Sequence, residues 1–362
     1  NNLVSQEVAL QLMLDSHDAL GIFCDLSKAF DCVFHETLVR KLHHYGVRNT
    51  ALDLLISYLG NRIQRVDVNG KRSPGSVVTM GVPQGSILGP FLFLVYINDL
   101  PYLIQDNQEI VLFAHDTSLL FKLKRQQPVT NDVNNALSEV VHWFNVNNLL
   151  LNEKKTKCIR FLTPNVKQVK TSVIINGAEL DLVDTTTFLG ITLDSKLQWG
   201  PHINKLSSRL SSAAYAVYKI RQLTDVETAR LVYFSYFHSV MSYGILLWGN
   251  AADIQTIFVL QKRAIRAIYN LSLRHSLRDK FKEISIMTVA SQYIYENLMY
   301  DIILLQKICN SFRCQSIRFY NKIPSNIQDL SLNKFKSLVK KKLCSKCFYK
   351  VKDYTDDKNA WN

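Results

Sequence analysis

The sequence predicts an α+β unit of about 200 residues followed by an all-helical, basic region. In the first part, short apolar strand-like runs alternate with amphipathic helical segments, whereas after Trp199 only helical periodicity remains. The net charge changes at the same place: it is −1 over residues 1–200 and +14 over residues 201–362. A basic second part predicts a polyanionic partner, although a solvated basic surface would give the same count.

The predicted strands of the first part come from apolar runs and alternating segments. Residues 21–24 form a continuous apolar run that predicts a buried strand ending at Asp25. Residues 109–113 and 118–123 predict two strands joined by a tight polar turn. Asn69-Gly70 predicts a hairpin turn. The other predicted strands are residues 62–69, 76–80, 157–162, 172–175 and 188–193.

The predicted helices carry apolar side chains at three- and four-residue spacing. One starts near His35, and Gly46 is its natural stop. Residues 88–99 predict an apolar helix stopped by Pro101, and residues 132–149 predict an amphipathic one. After Trp199 the predicted helices are a long one with apolar positions from 203 to 220, then residues 226–247, 253–270 and 289–309.

Composition limits the class of protein. A hydrophobic content of 47% over 362 residues predicts a buried core and argues against wholesale disorder. Seven scattered cysteines do not resemble a disulfide framework, so we expect a reducing, intracellular environment, either nucleus or cytoplasm. The longest apolar run, residues 87–97, contains Gly89 and Pro90 and is too short to span a bilayer, so we expect no membrane partner.

Two carboxylates stand out as candidate metal ligands. Asp25 ends the first apolar strand, and Asp116 lies in the turn of a predicted hairpin. Carboxylates that meet at one sheet edge can hold Mg²⁺, which prefers oxygen ligands and leaves positions open for phosphate. Taken singly, Asp25 is better explained as a cap of the following segment, and Asp116 as a turn former.

Five segments in order resemble motifs A to E of the reverse transcriptases of non-LTR (LINE-type) retrotransposons. They are FCDLSKAFDCV at 23–33, GVPQGSILGP at 81–90 leading to YINDL at 96–100, FAHDT at 113–117, LN with KT at 151–156, and FLGI at 188–191. Further segments resemble the thumb region of jockey-type elements. They are YG at 243–244, WG at 248–249, QKRA at 261–264, YNKIP at 320–324 and FK at 335–336.

The resemblance implies an RNA-directed DNA polymerase that acts on an RNA template, a DNA primer and a dNTP. It also implies a palm with an antiparallel sheet and helices, followed by a helical thumb. We predict partial fingers and palm at residues 1–197, thumb at 198–310 and a basic C-terminal extension at 311–362. Because only 24 residues precede Asp25, we expect most of the fingers, and the separate endonuclease domain of such elements, to be missing.

The resemblance also assigns roles to single residues. Asp25 and Asp116 would bind two Mg²⁺ ions, and Phe30 would exclude a ribose 2′-hydroxyl, unless it is simply a core aromatic. Lys155 would lie near the triphosphate as a proton donor, although a surface lysine is nearly as good an explanation. Residues that would contact the nucleotide and template are Gln84, Gly85 and Ser86, and candidates for the nucleic-acid backbone are Lys262, Arg263 and Arg266.

One position departs from the family pattern. Motif C normally reads Asp-Asp, and its first Asp binds metal, but this chain has His115 there. Imidazole is a nitrogen ligand, whereas Mg²⁺ requires anionic oxygen, so we expect impaired catalysis. The alternatives are a non-catalytic nucleic-acid-binding remnant, and a decayed copy with neither role. An RNA-dependent RNA polymerase is disfavoured by Phe30 and by the segment at 81–90.

Overall fold

The structure is a computed structural model that describes residues 18–103, 108–124, 131–162, 172–305 and 315–361. The chain divides into two compact units, Asn1–Thr186 and Thr187–Asn362. Residues 1–17 of the predicted partial fingers and palm lie outside the described residues. The predicted boundaries at 197 and 310 stay predictions.

A four-stranded antiparallel sheet forms the centre of the first unit, in the order β10-β1-β8-β7. These strands are β1 (Asp18–Cys24), β7 (Gln108–Phe113), β8 (Asp116–Leu123) and β10 (Lys157–Phe161). Strand β1 is buried along its whole length because it has a neighbour on each side and its apolar side chains are covered. Ile22 pairs with Leu119 on one side and with Cys158 on the other.

Helices and short hairpins surround this sheet. The helices are α1 (His35–His44), α2 (Asn49–Leu59), α3 (Leu88–Ile97) and α4 (Asn131–Val146), with 3-10 turns at Ala29–Cys32 and Leu100–Leu103. The short strands are β2 (Leu26–Ser27), β3 (Arg62–Gln64), β4 (Asp67–Val68), β5 (Lys71–Arg72), β6 (Ser76–Val78), β9 (Leu150–Leu151), β11 (Ile174–Ile175) and β12 (Ala178–Glu179). Asn69-Gly70 makes the predicted turn, between β4 and β5.

The core of the first unit joins the sheet to the apolar faces of the helices. Leu38 and Leu42 of α1 and Leu137 and Phe144 of α4 are almost wholly buried in it. These are the positions that the helical periodicity predicted. The prediction of an antiparallel sheet with helices is therefore confirmed.

The second unit is built mostly from helices. They are α5 (Gly200–Leu223), α6 (Val226–Val232), a π-helix (Tyr233–His238), α7 (Ser239–Ser242), α8 (Ile245–Trp248), α9 (Ile254–Tyr269), α10 (Arg278–Glu283), α11 (Val289–Leu305), α12 (Gln315–Tyr320), α13 (Ser325–Gln328), α14 (Leu332–Lys346) and α15 (Val351–Asp356). Strands β13 (Thr185–Phe188) and β14 (Ile191–Asp194) form a hairpin that leads into α5. The Asp194 carboxylate accepts from the Trp199 backbone N–H at 2.7 Å, which fixes the start of α5.

Four predicted elements differ from the structure. Residues 62–69, predicted as one strand, form two short strands, β3 and β4, which pair with β6 and β5 respectively. Residues 188–193, predicted as one strand, are divided by a turn at Leu189 and Gly190, because both residues adopt positive φ, which a continuous strand excludes. The predicted helix at 226–247 changes to π-helical geometry at Tyr233 and ends before Gly244, which has a φ of 63°. The predicted helix at 289–309 is helical as far as Leu305, and residues 306–309 lie outside the described residues.

Buried polar side chains cross-link the helices of the second unit. The Gln261 amide, fully buried on α9, donates to the Tyr233 hydroxyl at 3.0 Å and to the Met287 carbonyl at 2.9 Å. Its oxygen accepts from the Val289 backbone N–H at 2.9 Å. One side chain therefore ties α9 to the π-helix and to the start of α11.

His202, on α5, is a second buried polar group of this unit. Its Nδ1 accepts from the Thr192 backbone N–H at 3.3 Å, and its ring lies 6.5 Å from that of Trp199 and 5.8 Å from that of Trp248. Burial, helped by the nearby charges of Arg209 and Lys205, lowers the pKa of His202 to about 4. The imidazole is therefore neutral at physiological pH.

Candidate active site

The two candidate metal ligands lie at the same edge of the central sheet. Cys24 pairs with Thr117 across β1 and β8, so that the next residue along each strand is Asp25 on one side and Asp116 on the other. Both residues are half-buried, and 36% of the Asp25 side chain is exposed. As predicted from the sequence, Asp25 lies beside the hairpin that carries His115 and Asp116.

A turn 130 residues further along the chain braces the backbone of Asp25. The Asn152 backbone N–H donates to the Asp25 carbonyl at 2.8 Å, and the Asp25 N–H donates to the Thr156 hydroxyl at 3.3 Å. Thr156 is fully buried, and its hydroxyl donates to the Asn152 carbonyl at 2.9 Å. The Lys155 ammonium lies 3.8 Å from the Asp25 carboxylate. The segment that resembles motif D therefore holds the backbone of Asp25 in place and positions the Lys155 ammonium beside its carboxylate.

The turn that carries His115 is exposed to solvent. Ala114 adopts a φ of 51°, and the turn closes between Phe113 and Asp116. The His115 ring makes an edge-on contact with the Phe30 ring, at 5.9 Å between centroids. Phe30 in turn packs on Phe93, at 4.7 Å. Phe30 thus has one side against the core and another facing the turn of the carboxylate hairpin.

The loop at 81–90 is fastened to the segment that follows Asp25. Gly81 N–H donates to the Val33 carbonyl at 2.7 Å, and Val82 N–H donates to the Phe30 carbonyl at 2.8 Å. A ring nitrogen of His35 lies 2.7 Å from the Gly81 carbonyl oxygen, which accepts its N–H. Gly81 has a φ of 88°, a conformation that glycine adopts without strain.

The three residues of this loop that are candidates for contacting the nucleotide make different contacts with the rest of the chain. The Gln84 side chain is exposed, and its amide nitrogen donates to the Asp31 carboxylate at 2.9 Å. A Cβ placed on Gly85 would meet nothing within 4 Å, so its exposed backbone is open to approach. The Ser86 hydroxyl donates to the Pro83 carbonyl at 2.8 Å and accepts from the Gly89 N–H at 2.9 Å. Ser86 therefore shapes the start of α3 with its side chain.

The family model described as reverse transcriptase (RNA-dependent DNA polymerase) matches residues 5–193, more than half of the chain. The chain belongs to the reverse transcriptase family. Two Drosophila melanogaster proteins are among its relatives. The probable RNA-directed DNA polymerase from transposon BS is 32% identical over 276 residues, and the RNA-directed DNA polymerase from mobile element jockey is 28% identical over 289 residues. The match makes this chain a jockey-like reverse transcriptase of the non-LTR type.

The match to these relatives is partial in length. The alignments cover 72% and 77% of this chain but only 30% and 31% of the two Drosophila proteins. The Pol polyprotein of element R2 from Popillia japonica is 25% identical, with 69% of this chain and 42% of the polyprotein covered. Among solved structures, a telomerase from Candida tropicalis is 10% identical with a TM-score of 0.44, covering 98% of this chain and 52% of that one.

Reverse transcriptases are generally metal-dependent, and the donor set at this sheet edge fits part of what Mg²⁺ requires. Asp25 and Asp116 supply two carboxylates, as in sites where Mg²⁺ keeps water and phosphate oxygens in its other positions. No group of three or more His, Cys, Asp or Glu side chains that could hold a metal occurs in the described part of the chain.

The three basic candidates of this reverse transcriptase lie on α9 in the second unit, and their surroundings differ. Lys262 is half-buried, with its ammonium 4.7 Å from the centre of the Phe258 ring. Arg266 donates to the carbonyls of Ser272 and His275, at 3.3 and 3.4 Å. Arg263 is exposed. The structure therefore leaves Arg263 as the most accessible cation of the three.

Sequence reasoning did not single out three residues that organise the site. They are Asp31, Asn152 and Thr156, which bond to Gln84 and to the backbone of Asp25. The resembling segments contain all three, and only the fold shows which atoms they bond. Among the described helices, none combines the length and apolar character needed to cross a membrane.

Proposed function

We propose that this chain carries the polymerase centre for RNA-templated DNA synthesis, in a form weakened by His115. The observation that supports it is the strand register that sets Asp25 beside Asp116, next to the exposed loop of Gln84 and Gly85. Such an arrangement offers carboxylates for a metal-bound triphosphate and an open glycine backbone for a nucleotide. The site borders Phe30, which provides the aromatic wall.

The proposed reaction is a nucleotidyl transfer. The primer 3′-hydroxyl loses its proton to solvent, and its oxygen forms a bond with the α-phosphorus of a dNTP. The bond from that phosphorus to the bridging oxygen breaks, and pyrophosphate leaves. Bound Mg²⁺ would neutralise charge that develops on the phosphate oxygens.

The residues of the chain have separate tasks in this proposal. Asp25, held by Asn152 and Thr156, and Asp116 bind the metal-bound triphosphate. Lys155, which lies on the Asp25 side of the site, supplies a proton to the departing pyrophosphate. Phe30 rejects nucleotides that carry a 2′-hydroxyl.

Because His115 stands where the family has a carboxylate, we expect a low rate of DNA synthesis. Removing one negative charge from a two-metal centre weakens stabilisation of the transition state, at a cost on the order of a thousandfold in rate. We expect little primer extension on an RNA template with Mg²⁺, and a trace with Mn²⁺, which accepts imidazole more readily.

The test is primer extension by the unmodified chain and by His115→Asp, with Asp25→Asn in the His115→Asp background as the matched negative control. Because the chain spans about 30% of the Drosophila relatives, the assay is repeated with the chain fused to a relative's fingers segment. Synthesis that appears with His115→Asp and disappears with Asp25→Asn supports the proposal. Equal, strong synthesis by the unmodified chain would contradict the role given to His115.

A non-catalytic nucleic-acid-binding protein is the second candidate, and the balance of +14 over residues 201–362 favours it. It predicts tight, salt-sensitive binding of an RNA–DNA duplex by every variant, with no synthesis even by His115→Asp. A filter-binding titration beside the extension assay separates the two functions. Failure of both assays with folded protein would leave a decayed copy without either role.

A further inference from the structure

We propose that a cleft of the first unit, separate from the metal-binding edge, binds a guanine nucleotide, either as the free monophosphate or as one residue of an RNA strand. The cleft lies between α1, the end of α4 and the 3-10 turn Leu100–Leu103, and its volume is about 630 Å³. Sites for small ligands commonly have volumes of about 300–1,000 Å³. None of the described residues that line the cleft has a task in the proposed polymerase reaction.

One face of α1 supplies the positive charge of the cleft. Arg40 and His44 lie one helical turn apart, so both side chains project from this face, and both are exposed. The Arg40 guanidinium donates to the Thr37 hydroxyl at 3.3 Å, which is its one side-chain hydrogen bond among the described residues. Most of its N–H donors therefore remain for a ligand, and a guanidinium binds phosphate through two parallel hydrogen bonds.

Exposed aromatic rings provide surfaces for a flat ligand. Tyr102 of the 3-10 turn is 82% exposed, and Tyr45, at the end of α1, is 41% exposed. The Tyr102 backbone N–H donates to the Asp99 carbonyl at 3.2 Å, so that one short turn carries both an aromatic ring and a carboxylate. Aromatic rings beside cationic side chains are the groups on which nucleobases stack in complexes with single-stranded nucleic acid.

A buried ammonium fixes the Asp99 carboxylate within the cleft. The Lys41 side chain is only 14% exposed, and its ammonium donates to the Asp99 carboxylate at 2.7 Å and to the Tyr96 carbonyl at 2.6 Å. The same ammonium lies 4.6 Å from the centre of the Trp143 ring, which also lines the cleft. Lys41 occupies one oxygen of Asp99, and 40% of the Asp99 side chain is exposed, so the second oxygen is available to a ligand.

These groups together match a guanine nucleotide. A carboxylate only accepts hydrogen bonds, and guanine is the base whose pairing edge places two donors, N1–H and the N2 amine, side by side. Arg40 provides the partner for phosphate, and the tyrosine rings provide the stacking surface for the base. A second cavity along α4 differs in this respect, because the described residues that line it include no lysine or arginine.

The first test is isothermal titration calorimetry with GMP, AMP and guanosine. EDTA is present, so that no divalent ion holds a nucleotide at Asp25 and Asp116. GMP should bind about tenfold more tightly than either AMP or guanosine, because AMP lacks the paired donors and guanosine lacks the phosphate. Failure of GMP to bind, or equal affinities for GMP and AMP, would overturn the proposal.

Two exposed side chains test the stacking and the phosphate contact. Tyr102→Ala should weaken GMP binding about tenfold through the loss of stacking. Arg40→Ala should weaken it by a similar factor and should remove the preference for GMP over guanosine. Arg65→Ala replaces an exposed arginine that follows β3, outside the cleft, and should leave GMP binding unchanged. Unchanged GMP binding by Tyr102→Ala or Arg40→Ala would overturn the site.

Asp99 is tested by a change of preference. In Asp99→Asn the amide oxygen faces the Lys41 ammonium, which only donates, so the amide nitrogen faces the ligand. The guanine donors then meet a donor, and the preference for GMP over AMP should disappear. The preference is a ratio of affinities within one variant, so a loss of stability alone does not alter it. An unchanged preference would overturn the role of Asp99.

Two RNA strands of equal length distinguish the two sources of the nucleotide. The strands differ at one position, guanosine or adenosine, so their phosphates are equal in number and the basic second unit contributes equally to both. A preference for the guanosine strand that Asp99→Asn removes assigns the cleft to RNA, whereas a preference confined to the monophosphates assigns it to the free nucleotide. Because the measurements require neither metal nor primer, a failure of RNA-templated synthesis leaves their outcome unaffected.

Discussion

Gln84 and Gln261 are the same residue type in two regions of the molecule, and they are used in opposite ways. Gln261 is fully buried, and its amide makes three hydrogen bonds that join elements of the helical unit. Gln84 is exposed, and its amide nitrogen donates one hydrogen bond, to the Asp31 carboxylate, from the loop at 81–90. A glutamine that is saturated by its own chain supports the fold, whereas one with a free acceptor is available to a ligand.

The largest expected difference between the two regions is in stability. Gln261→Ala would leave the Tyr233 hydroxyl, the Met287 carbonyl and the Val289 N–H without their buried partner, at a cost of roughly 3 kcal/mol in the free energy of unfolding. The matched variant Gln84→Ala should cost less than about 0.5 kcal/mol, because solvent replaces the lost bond. Urea unfolding monitored by circular dichroism measures both.

Equal stability of the two variants would contradict this difference between the two glutamines. Similar small losses would mean that water enters the second unit and takes over the bonds of Gln261. Similar large losses would mean that the loop of Gln84 supports the fold of the first unit.

His202 should make the stability of the second unit depend on pH. The unfolded imidazole binds a proton below about pH 6.5, but the folded one does so only at about pH 4. Between these values the unfolded state binds more protons, so stability is complete above pH 6.5 and falls by about 1.4 kcal/mol per pH unit as the pH drops toward 4.

His202→Gln removes this titration. The stability of this variant should depend less steeply on pH than that of the unmodified chain, by up to about one proton between pH 6.5 and 4. The measurement is the free energy of unfolding at a series of pH values. Parallel pH curves for the two proteins would mean that folding does not lower the pKa of His202.

A smaller effect is expected at Thr156, which is buried but serves the exposed site. Thr156→Val keeps the shape and removes the hydroxyl that bonds Asp25 and Asn152, at a cost of about 1 kcal/mol in unfolding free energy. Thr156→Ser keeps the hydroxyl and is the control. If the serine variant is the less stable of the two, packing of the methyl group matters more than the bond to Asp25.

The smallest expected effect concerns two arginines of α9. Arg263 is exposed, whereas Arg266 bonds two carbonyls of its own chain. If the helix contacts a nucleic-acid backbone, Arg263→Ala should lower the log–log salt slope of duplex binding by about 0.9, and Arg266→Ala should change it less. Filter binding at several salt concentrations measures the slopes. An equal decrease in both would show that Arg266 leaves its internal partners when nucleic acid binds.

Local patterns in the sequence were sufficient for the main elements of the fold. The apolar run at 21–24, the two strands around residue 115 and the helical periodicity of α1 and α4 all predicted what the structure contains. Helix α2 was not predicted, since most of its apolar side chains are only partly buried and give a weaker pattern. The change to π-helical geometry at Tyr233 was missed because the π-helical segment is only six residues long, too short to set a period of its own.

The candidate site could be predicted only as a set of residue types. Motif order indicated Asp25, Asp116 and Gln84, because their chemistry suits a phosphate ligand. Sequence spacing carried no information about hydrogen bonds between distant segments, such as the bond from Asp25 to Thr156, 131 residues apart. The hydrogen bonds from Arg266 and Ser86 to backbone carbonyls could not be predicted for the same reason.

Strand β1 has a consequence for how the protein is made. It lies between β8 and β10, and Phe23 pairs with Lys157, which the ribosome adds 134 residues later. At ordinary rates of synthesis this interval is on the order of ten seconds. During the first part of that time neither neighbour of this apolar strand has been made, and β10 is still missing when β8 appears, so the sheet cannot close until synthesis passes Lys157.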